Sequence, residues 1–203
     1  MGIVLWARHG ENVANLTRTL SYQVYDRELT DKGREQARSL GESLAGLALG
    51  SMTRLFCSPL RRARQTAEIV GQQLGVAILA ELEDLRELNV GELDGRSDEG
   101  AWNIYAHVLA SWSAGQRDVR FPGGENCVEL EARLARALER VTEPGGASRS
   151  VVVAHGAGLR AALPGLCAAP DPGVDIPTAQ FAVLETRRDQ DAIRVGVVSW
   201  PTA

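Results

Sequence analysis

The sequence predicts an α/β fold of three layers: a largely parallel central sheet with helices on both faces and a small inserted helical cap. Short apolar runs alternate with longer stretches of helical periodicity, Gly and Pro fall singly or in short turn clusters, and one aromatic-rich segment breaks the alternation. No internal repeat or long linker divides the chain. We therefore expect a single domain over residues 1–203, with the cap at about 96–126.

Six apolar runs are typical of strands, at residues 3–7, 53–57, 76–79, 150–154, 181–185 and 193–198. In a mostly parallel sheet, ligands bind beyond the carboxyl ends of the strands. Arg8, His9 and Gly10 follow the first run, and His155 and Gly156 follow the fourth. We expect these two segments to meet at the functional site.

Three further segments have helical periodicity. Thr30 is a candidate N-cap for the first, residues 60–74 form the second, and the third spans 125–141 and ends at the turn 144–146. The apolar face of the first helix is predicted to hold Ala37, Leu40, Leu44 and Leu47.

The composition excludes several classes of partner. A net charge of −4 and a pI near 5.5 argue against general binding to nucleic acid or to an anionic membrane, because both need a strongly basic surface. The run at 3–7 is too short for a signal-peptide core, and Cys57, Cys127 and Cys167 lack the spacing of a zinc site or a disulfide framework. These features predict a cytoplasmic protein.

Two of the three histidines share one local setting: an apolar strand, the histidine, a glycine and then a predicted helix. A single histidine after a strand is more often a hydrogen-bonded structural residue. The matched pair His9 and His155, with Arg8 beside the first, favours a functional site instead.

A candidate anion site follows the second strand, where a helix begins and carries Arg61, Arg62 and Arg64. Free backbone N–H groups at a helix start, together with guanidinium donors, suit a bound phosphate. The three arginines cannot all face one way, so at least one is expected on the solvated face. The next polar segment, 85–95, contains Glu87 and would by itself be a solvated acidic turn.

Four motifs occur in one order: R-H-G-E-N at 8–12, L-x-R-A-x-Q-T-A at 60–67, L-x-E-x-x-x-G at 85–91 and V-V-A-H-G at 152–156. In this order the chain resembles the histidine phosphatase superfamily, the phosphoglycerate mutase-like proteins, and in particular its phosphatase-type branch. The resemblance extends from residue 3 to about residue 160.

The resemblance implies a role for each matching residue. His9 would be the nucleophile that takes the phosphoryl group, and Glu87 the proton donor and acceptor. The catalytic phosphate pocket would be formed by Arg8, Arg62, His155 and Gly156. Asn15, at the family's asparagine position after R-H-G-E, would add an amide contact to the same phosphate.

Elementary chemistry agrees with these roles. Arginines and a second histidine neutralise the charge on the phosphoryl oxygens, and neutral imidazole attacks through one nitrogen when the other donates to a fixed acceptor. We expect that acceptor to be a backbone carbonyl near Gly10. Glu87 needs a raised pKa; burial beside an anionic substrate would raise it and Arg86 would lower it, and the sequence leaves the balance open.

The expected function is that of a metal-independent phosphomonoesterase acting on a small phosphorylated metabolite through a phosphohistidine, with no cofactor. Assembly as a homodimer is left open. A phosphomutase is the main competing hypothesis; it needs a second anion site, for which Arg96, Arg117 and Arg120 are candidates, although solvated surface arginines are the more common case. The cap is short for a mutase, which favours the hydrolase.

A metal hydrolase and an inactive relative are also considered. A metal hydrolase would use His9, Glu11, Glu87 and His155 as ligands, but no two of them have helical ligand spacing. An inactive relative would only bind a phosphorylated ligand, but the residues implied in chemistry are all present. The aromatic residues of the cap and of the preceding loop either line the leaving-group side or pack the cap: Tyr22, Trp102, Tyr105 and Trp112.

Overall fold

The computed structural model describes residues 2–47, 53–142, 149–167, 173–188 and 193–201. In these parts of the chain, six strands form one sheet in the order β3-β2-β4-β1-β5-β6. Their bounds are β1 Gly2–Arg8, β2 Arg54–Cys57, β3 Ile78–Glu81, β4 Arg149–Ala154, β5 Phe181–Arg188 and β6 Ile193–Ser199.

The sheet is mixed and mostly parallel, as the sequence predicts. β3, β2, β4 and β1 run parallel, and β5 and β6 add an antiparallel pair at one edge. The central strands are largely buried, over four consecutive residues of β1 and five of β4. This is typical of a parallel sheet that is covered on both faces.

The helices lie in two layers. Their bounds are α1 Val13–Leu16, α2 Asp31–Gly46, α3 Arg61–Leu74, α4 Glu99–Ser113, α5 Cys127–Val141 and α6 Gly156–Cys167. Alternate residues of β1 enter opposite cores: Val4 and Trp6 pack with α4, α5 and α6, whereas Leu5 and Ala7 pack with α2 and α3. The period of two along each strand thus produces the three layers.

The predicted element ends are mostly within two residues of the observed ones, with two informative differences. The strand predicted at 76–79 begins only at Ile78, because α3 ends with Gly75 in the left-handed region and the Val76 N–H bonds back to the Gly71 carbonyl. The prediction for Leu47 was wrong: α2 ends at Gly46, and Leu47 is half exposed beyond it.

Two helix starts follow from capping side chains. Thr30 caps α2 by accepting from the Gly33 N–H, as predicted. α5 begins at Cys127 rather than at 125, because Asn126 and Glu129 form a reciprocal capping box. The predicted helix end at residue 141 is confirmed, and the predicted turn at 144–146 lies outside the described residues.

The segment predicted as a cap contains α4, which Asp98 caps through the Ala101 N–H. Its aromatic side chains pack on one another: Tyr105 stacks on Phe121, and Trp102 and Trp112 meet this pair edge-on. Within the described residues, none of the helices has the length and apolar character needed to span a bilayer.

Candidate active site

The ends of β1 and β4 bring the two predicted histidines together. The strands are parallel neighbours with Arg8 beside Ala154, and the His9 N–H donates to the Ala154 carbonyl at 3.0 Å. The rings of His9 and His155 meet edge to face with centroids 5.3 Å apart, and both are buried. The two histidine segments therefore lie side by side at the strand ends, as the sequence predicted.

Hydrogen bonds fix the tautomer of His9. Its Nδ1 lies 2.7 Å from the Gly10 carbonyl oxygen, and its Nε2 lies 3.0 Å from Nε of Arg62. A guanidinium N–H only donates, so Nε2 is the acceptor and Nδ1–H donates to the carbonyl that the sequence predicted as the orienting group. Burial, and then the charges of Arg62 and Arg8, hold the pKa of His9 well below its usual value. His9 thus presents a neutral nitrogen lone pair at neutral pH.

The turn after His9 requires glycine because another backbone approaches it closely. A Cβ at Gly10 would overlap the carbonyl of Gly33, and a Cβ at Gly33 would overlap the carbonyl of Glu11. The Gly10 N–H donates to Oγ1 of Thr66 at 3.1 Å. The loop that carries His9 is therefore fixed against both α2 and α3.

Arg62 is the buried arginine of α3, with only 2% of its surface exposed. Its Nη1 lies 3.2 Å from Oγ of Ser21 and 3.3 Å from Oδ1 of Asp26, and its Nη2 lies 3.0 Å from the Ser21 carbonyl. Burial lowers the pKa of Arg62, whereas Glu87 and Asp26 raise it. The guanidinium is held in one orientation, with Nε toward His9.

The other two arginines of this helix lie on the solvated face, as expected for at least one of them. Arg61 pairs with Glu28 and Arg64 with Glu68, and all four side chains are about half exposed or more. The sequence motif therefore selected the one arginine of the three that faces His9.

The loop before α2, residues 21–26, holds Arg62 through Ser21 and Asp26. The carboxylate of Asp94 accepts from the backbone N–H groups of Tyr22, Gln23 and Val24 and fixes this loop. Sequence reasoning missed this support, because a serine and an aspartate in a polar loop carry no periodic signal.

Arg8 extends from the end of β1 toward the loop before β5. Its Nη1 donates to the Ile176 carbonyl at 2.8 Å. A Cβ at Gly156, the first residue of α6, would lie 3.2 Å from Cδ of Arg8. Arg8, His155 and Gly156 thus meet where α6 begins, and the positive end of this helix faces the same region.

His155 is held by a serine that sequence reasoning did not select. Nε2 of His155 lies 2.9 Å from Oγ of Ser58, and the Leu60 N–H donates to the same Oγ at 3.3 Å. Nδ1 of His155 is buried and has no hydrogen-bond partner among the described residues. Burial, followed by the charge of Arg62, holds the pKa of His155 well below its usual value.

Glu87 lies in the same pocket. Its Oε1 accepts from the N–H groups of Leu88, at 3.0 Å, and Gly158, at 2.8 Å. The side chain keeps some contact with solvent, but burial of its carboxylate raises its pKa, outweighing these two bonds and the charges of Arg62 and Arg8. Arg86, expected to oppose this rise, instead pairs with Glu83.

Arg133 fixes the backbone of the Glu87 loop. From α5 it donates to the carbonyls of Asp84 at 2.9 Å, Arg86 at 2.7 Å and Glu87 at 2.9 Å. The same guanidinium forms a buried ion pair with Glu125, which also accepts from the Asn89 N–H. A charged residue at position 133, one helical turn from the buried Leu130 and Ala137 of α5, was the sequence signal that could have found it.

Asn15 is engaged in a different contact. Its Oδ1 accepts from the Asn12 N–H, and Oδ1 of Asn12 accepts from the Asn15 N–H. These two bonds cap the short helix α1. The described hydrogen bonds of Asn15 therefore join it to Asn12 rather than to the histidines or arginines. Only its amide nitrogen would be available for the predicted contact with phosphate.

The metal-ligand set considered from the sequence does not assemble. Glu11 bonds Lys32 and Thr30. Across the described ranges, no three His, Cys, Asp or Glu side chains come close enough together to hold a metal ion.

The sheet and its cluster of two histidines, two arginines and one carboxylate define an α/β protein with a cationic pocket at its strand ends. Residues 4–197 match the histidine phosphatase superfamily (branch 1), and the chain belongs to that superfamily.

Curated relatives carry mutase names. The chain is 36% identical over 156 residues to the "Probable phosphoglycerate mutase GpmB" of Salmonella choleraesuis, covering 77% of this chain and 70% of the relative. It is 32% identical over 158 residues to "Phosphoglycerate mutase-like protein 4" of Arabidopsis thaliana, covering 77% and 67%.

Solved structures with similar folds carry hydrolase names. "Mycobacterial hydrolase 1" superposes with a TM-score of 0.82 at 25% identity, over 100% of both chains. A mycobacterial glucosyl-3-phosphoglycerate phosphatase in complex with VO3 superposes with a TM-score of 0.79 at 26% identity, also over 100% of both chains.

Proposed function

We propose that the protein is a metal-independent phosphomonoesterase that hydrolyses a small phosphorylated metabolite through a phosphohistidine at His9. The observation that carries the proposal is the state of His9: Nδ1–H is bound to the Gly10 carbonyl, and the Nε2 lone pair faces Arg62. A neutral imidazole held in one tautomer beside a phosphate-binding guanidinium is prepared for nucleophilic attack on phosphorus.

In the first step, Nε2 of His9 attacks the phosphorus and the bond from phosphorus to the ester oxygen breaks. A phosphoryl oxygen replaces Nε2 of His9 as the acceptor of the Arg62 Nε–H, and Arg8 and His155 bind the other oxygens. Glu87 gives its proton to the leaving alkoxide, and its raised pKa favours this protonated form.

In the second step, water attacks the phosphohistidine and the nitrogen–phosphorus bond breaks. Glu87, now a carboxylate, takes a proton from the water. Inorganic phosphate leaves, and both His9 and Glu87 return to their starting protonation states. The same carboxyl group thus serves as acid and then as base.

Hydrolysis is favoured over phosphomutase activity by the charges of the cap. Each arginine considered for a second phosphate site lies beside a carboxylate: Arg96 pairs with Asp98, Arg117 with Glu131 and Arg120 with Glu129. A second phosphate bound there would compete with an existing ion pair. The structural relatives with phosphatase names support the same choice. Because other relatives have mutase names, mutase activity is also measured in the test.

The test is turnover of 4-nitrophenyl phosphate by the wild type and by His9→Ala. We expect phosphate release by the wild type with or without a chelator, and a loss of activity of at least about a thousandfold in the variant. Brief reaction with radiolabelled substrate followed by denaturation should leave label on the wild type in an acid-labile, base-stable form. Turnover retained by folded His9→Ala would contradict the proposal.

The competing hypotheses give different outcomes in the same assay. A mutase would convert 2-phosphoglycerate to 3-phosphoglycerate faster than it releases phosphate. A metal hydrolase would lose activity with the chelator. An inactive relative would bind inorganic phosphate in calorimetry without turning over any ester.

A further inference from the structure

A second feature lies beside the proposed phosphate pocket: a cavity of about 640 Å³ between α4, α5 and α6. This volume is within the usual range for sites that enclose a small organic molecule. None of the residues proposed to handle the phosphoryl group forms its lining.

The cavity adjoins the side of the pocket where the leaving group departs. Ala157 lines it and lies between Gly156, which approaches Arg8, and Gly158, whose N–H binds Glu87. Asp175 also lines it and precedes the residue whose carbonyl binds Arg8. Because Glu87 must reach the ester oxygen, the group attached to that oxygen would extend into this cavity.

The walls of the cavity are mostly apolar. They include Tyr105, Leu109, Trp112, Ala161 and Pro164. Tyr105 is held by stacking on Phe121, with ring centroids 5.6 Å apart. Rigid aromatic walls of this kind favour a flat or ring-shaped apolar body.

The charged groups of the wall are paired with each other. Arg117 forms an ion pair with Glu131, and Arg160 lies 3.2 Å from Asp175. Both pairs line the cavity. A ligand carboxylate would therefore meet arginines that already have carboxylate partners, and Glu131 and Asp175 would repel it.

We propose that this cavity selects the leaving group, and that it takes an uncharged alcohol or phenol with an apolar, ring-sized body in preference to an anionic one such as glycerate. The proposal rests on the phosphomonoesterase activity proposed above. It adds the class of substrate that the site accepts.

The experiment compares three esters: 1-naphthyl phosphate, glycerol 3-phosphate and 3-phosphoglycerate. For the wild type we expect kcat/KM to be highest for the naphthyl ester and at least about tenfold lower for 3-phosphoglycerate. In Ala161→Leu, which fills part of the cavity, kcat/KM for the naphthyl ester should fall about tenfold through KM, with glycerol 3-phosphate changed less than about twofold.

A second variant tests the charge argument. Glu131→Gln removes the carboxylate partner of Arg117, so kcat/KM for 3-phosphoglycerate should rise about tenfold relative to that for glycerol 3-phosphate. Ala132→Leu and Glu139→Gln are the matched controls, since both change exposed positions of α5 outside the cavity.

The outcomes separate the two proposals. A wild type that prefers 3-phosphoglycerate, or an Ala161→Leu variant that affects all three esters equally, would overturn the cavity proposal and leave the hydrolase intact. A wild type that hydrolyses none of the esters and forms no phosphohistidine would overturn the proposed function itself.

Discussion

Nε of Arg62 lies 3.0 Å from Nε2 of His9, so the nitrogen proposed to attack phosphorus is held by the guanidinium proposed to bind the phosphate. A bound phosphoryl group must take over this hydrogen bond before His9 can react. Lysine has no planar guanidinium that could bond Ser21 and Asp26 on one side while directing an N–H toward His9 on the other. We expect Arg62→Lys to lower kcat/KM for 4-nitrophenyl phosphate by about 10²–10³.

The matched control is Arg61→Lys, the exposed neighbour on the same helix turn. Its kcat/KM should stay within about twofold of the wild type, because surface ion pairs contribute little. Equal losses of kcat/KM in both variants would show that the position of Arg62 beside His9 does not contribute to activity.

The shifted pKa values predict a bell-shaped dependence of kcat/KM on pH. The proposed mechanism requires neutral His9, whose pKa is held below 6.5, and protonated Glu87, whose pKa is raised above 4.5. The rising limb should therefore have its midpoint below pH 6.5 and the falling limb above pH 4.5. In Glu87→Gln the part of the falling limb that comes from titration of Glu87 should disappear. An unchanged falling limb would show that it comes from titration of the phosphate ester instead.

Glu87→Gln should also make activity depend more on the leaving group. A carboxamide cannot protonate an alkoxide, so phosphorylation by phenyl phosphate should slow by about 10²–10⁴. Phosphorylation by 4-nitrophenyl phosphate should slow much less, because its leaving phenolate needs little help. Water attack then lacks its base, so a stopped-flow burst of nitrophenolate should precede a slow steady state. Equal slowing with both esters and no burst would argue against Glu87 as the acid and base.

Much of the fold was predictable because its signals are local. Each strand is a short apolar run, and the residues that follow β1 and β4 are the polar ones, so strand-end reasoning brought Arg8, His9 and His155 together from the sequence alone. Strand-end reasoning did not distinguish the three arginines of α3; the resemblance to the family motif selected Arg62, and its burial agrees with that choice.

The supporting contacts could not be predicted, because they join residues far apart in the chain. Arg133 binds the carbonyl of Glu87 from 46 residues away, and Ser58 meets His155 from 97 residues away. No periodicity or spacing links such positions. Local patterns predicted which residues lie together at the strand ends, and the structure was needed to find what holds them.

Arg133 offers a test of that support. Arg133→Gln removes one partner of a buried ion pair and three bonds to the Glu87 loop. We expect the free energy of unfolding to fall by about 3–5 kcal/mol, because Glu125 is left buried without its partner. Denaturant unfolding measures this loss.

The matched control is Arg136→Gln, one helical turn later on α5, which loses only an exposed pair with Asp84. Its free energy of unfolding should change by less than about 1 kcal/mol. If Arg133→Gln were no more destabilised than Arg136→Gln, the buried pair would not be supporting the loop.

Ser58 is predicted to set the tautomer of His155. Its Oγ accepts from the Leu60 N–H, and Nε2 of His155 is the acceptor that the described hydrogen bonds offer to its O–H. With Nε2 accepting, the ring proton of neutral His155 is on Nδ1. That Nδ1–H is the buried donor with no partner among the described residues, and a phosphoryl oxygen would satisfy it. Ser58→Ala removes the hydroxyl that sets the tautomer of His155. The affinity for inorganic phosphate should therefore weaken about tenfold, which corresponds to the loss of one hydrogen bond.

Nitrogen NMR of the His155 ring distinguishes a change of tautomer from a general loosening. In the wild type the protonated nitrogen should be Nδ1, and in Ser58→Ala the two tautomers should mix while the melting temperature changes little. Ser111→Ala, at another buried serine, is the control and should keep both the phosphate affinity and the ring signals of the wild type. A wild-type ring protonated on Nε2 would contradict the prediction, because Ser58 would then accept from His155 and the buried Nδ1 would face the phosphate without a proton to donate.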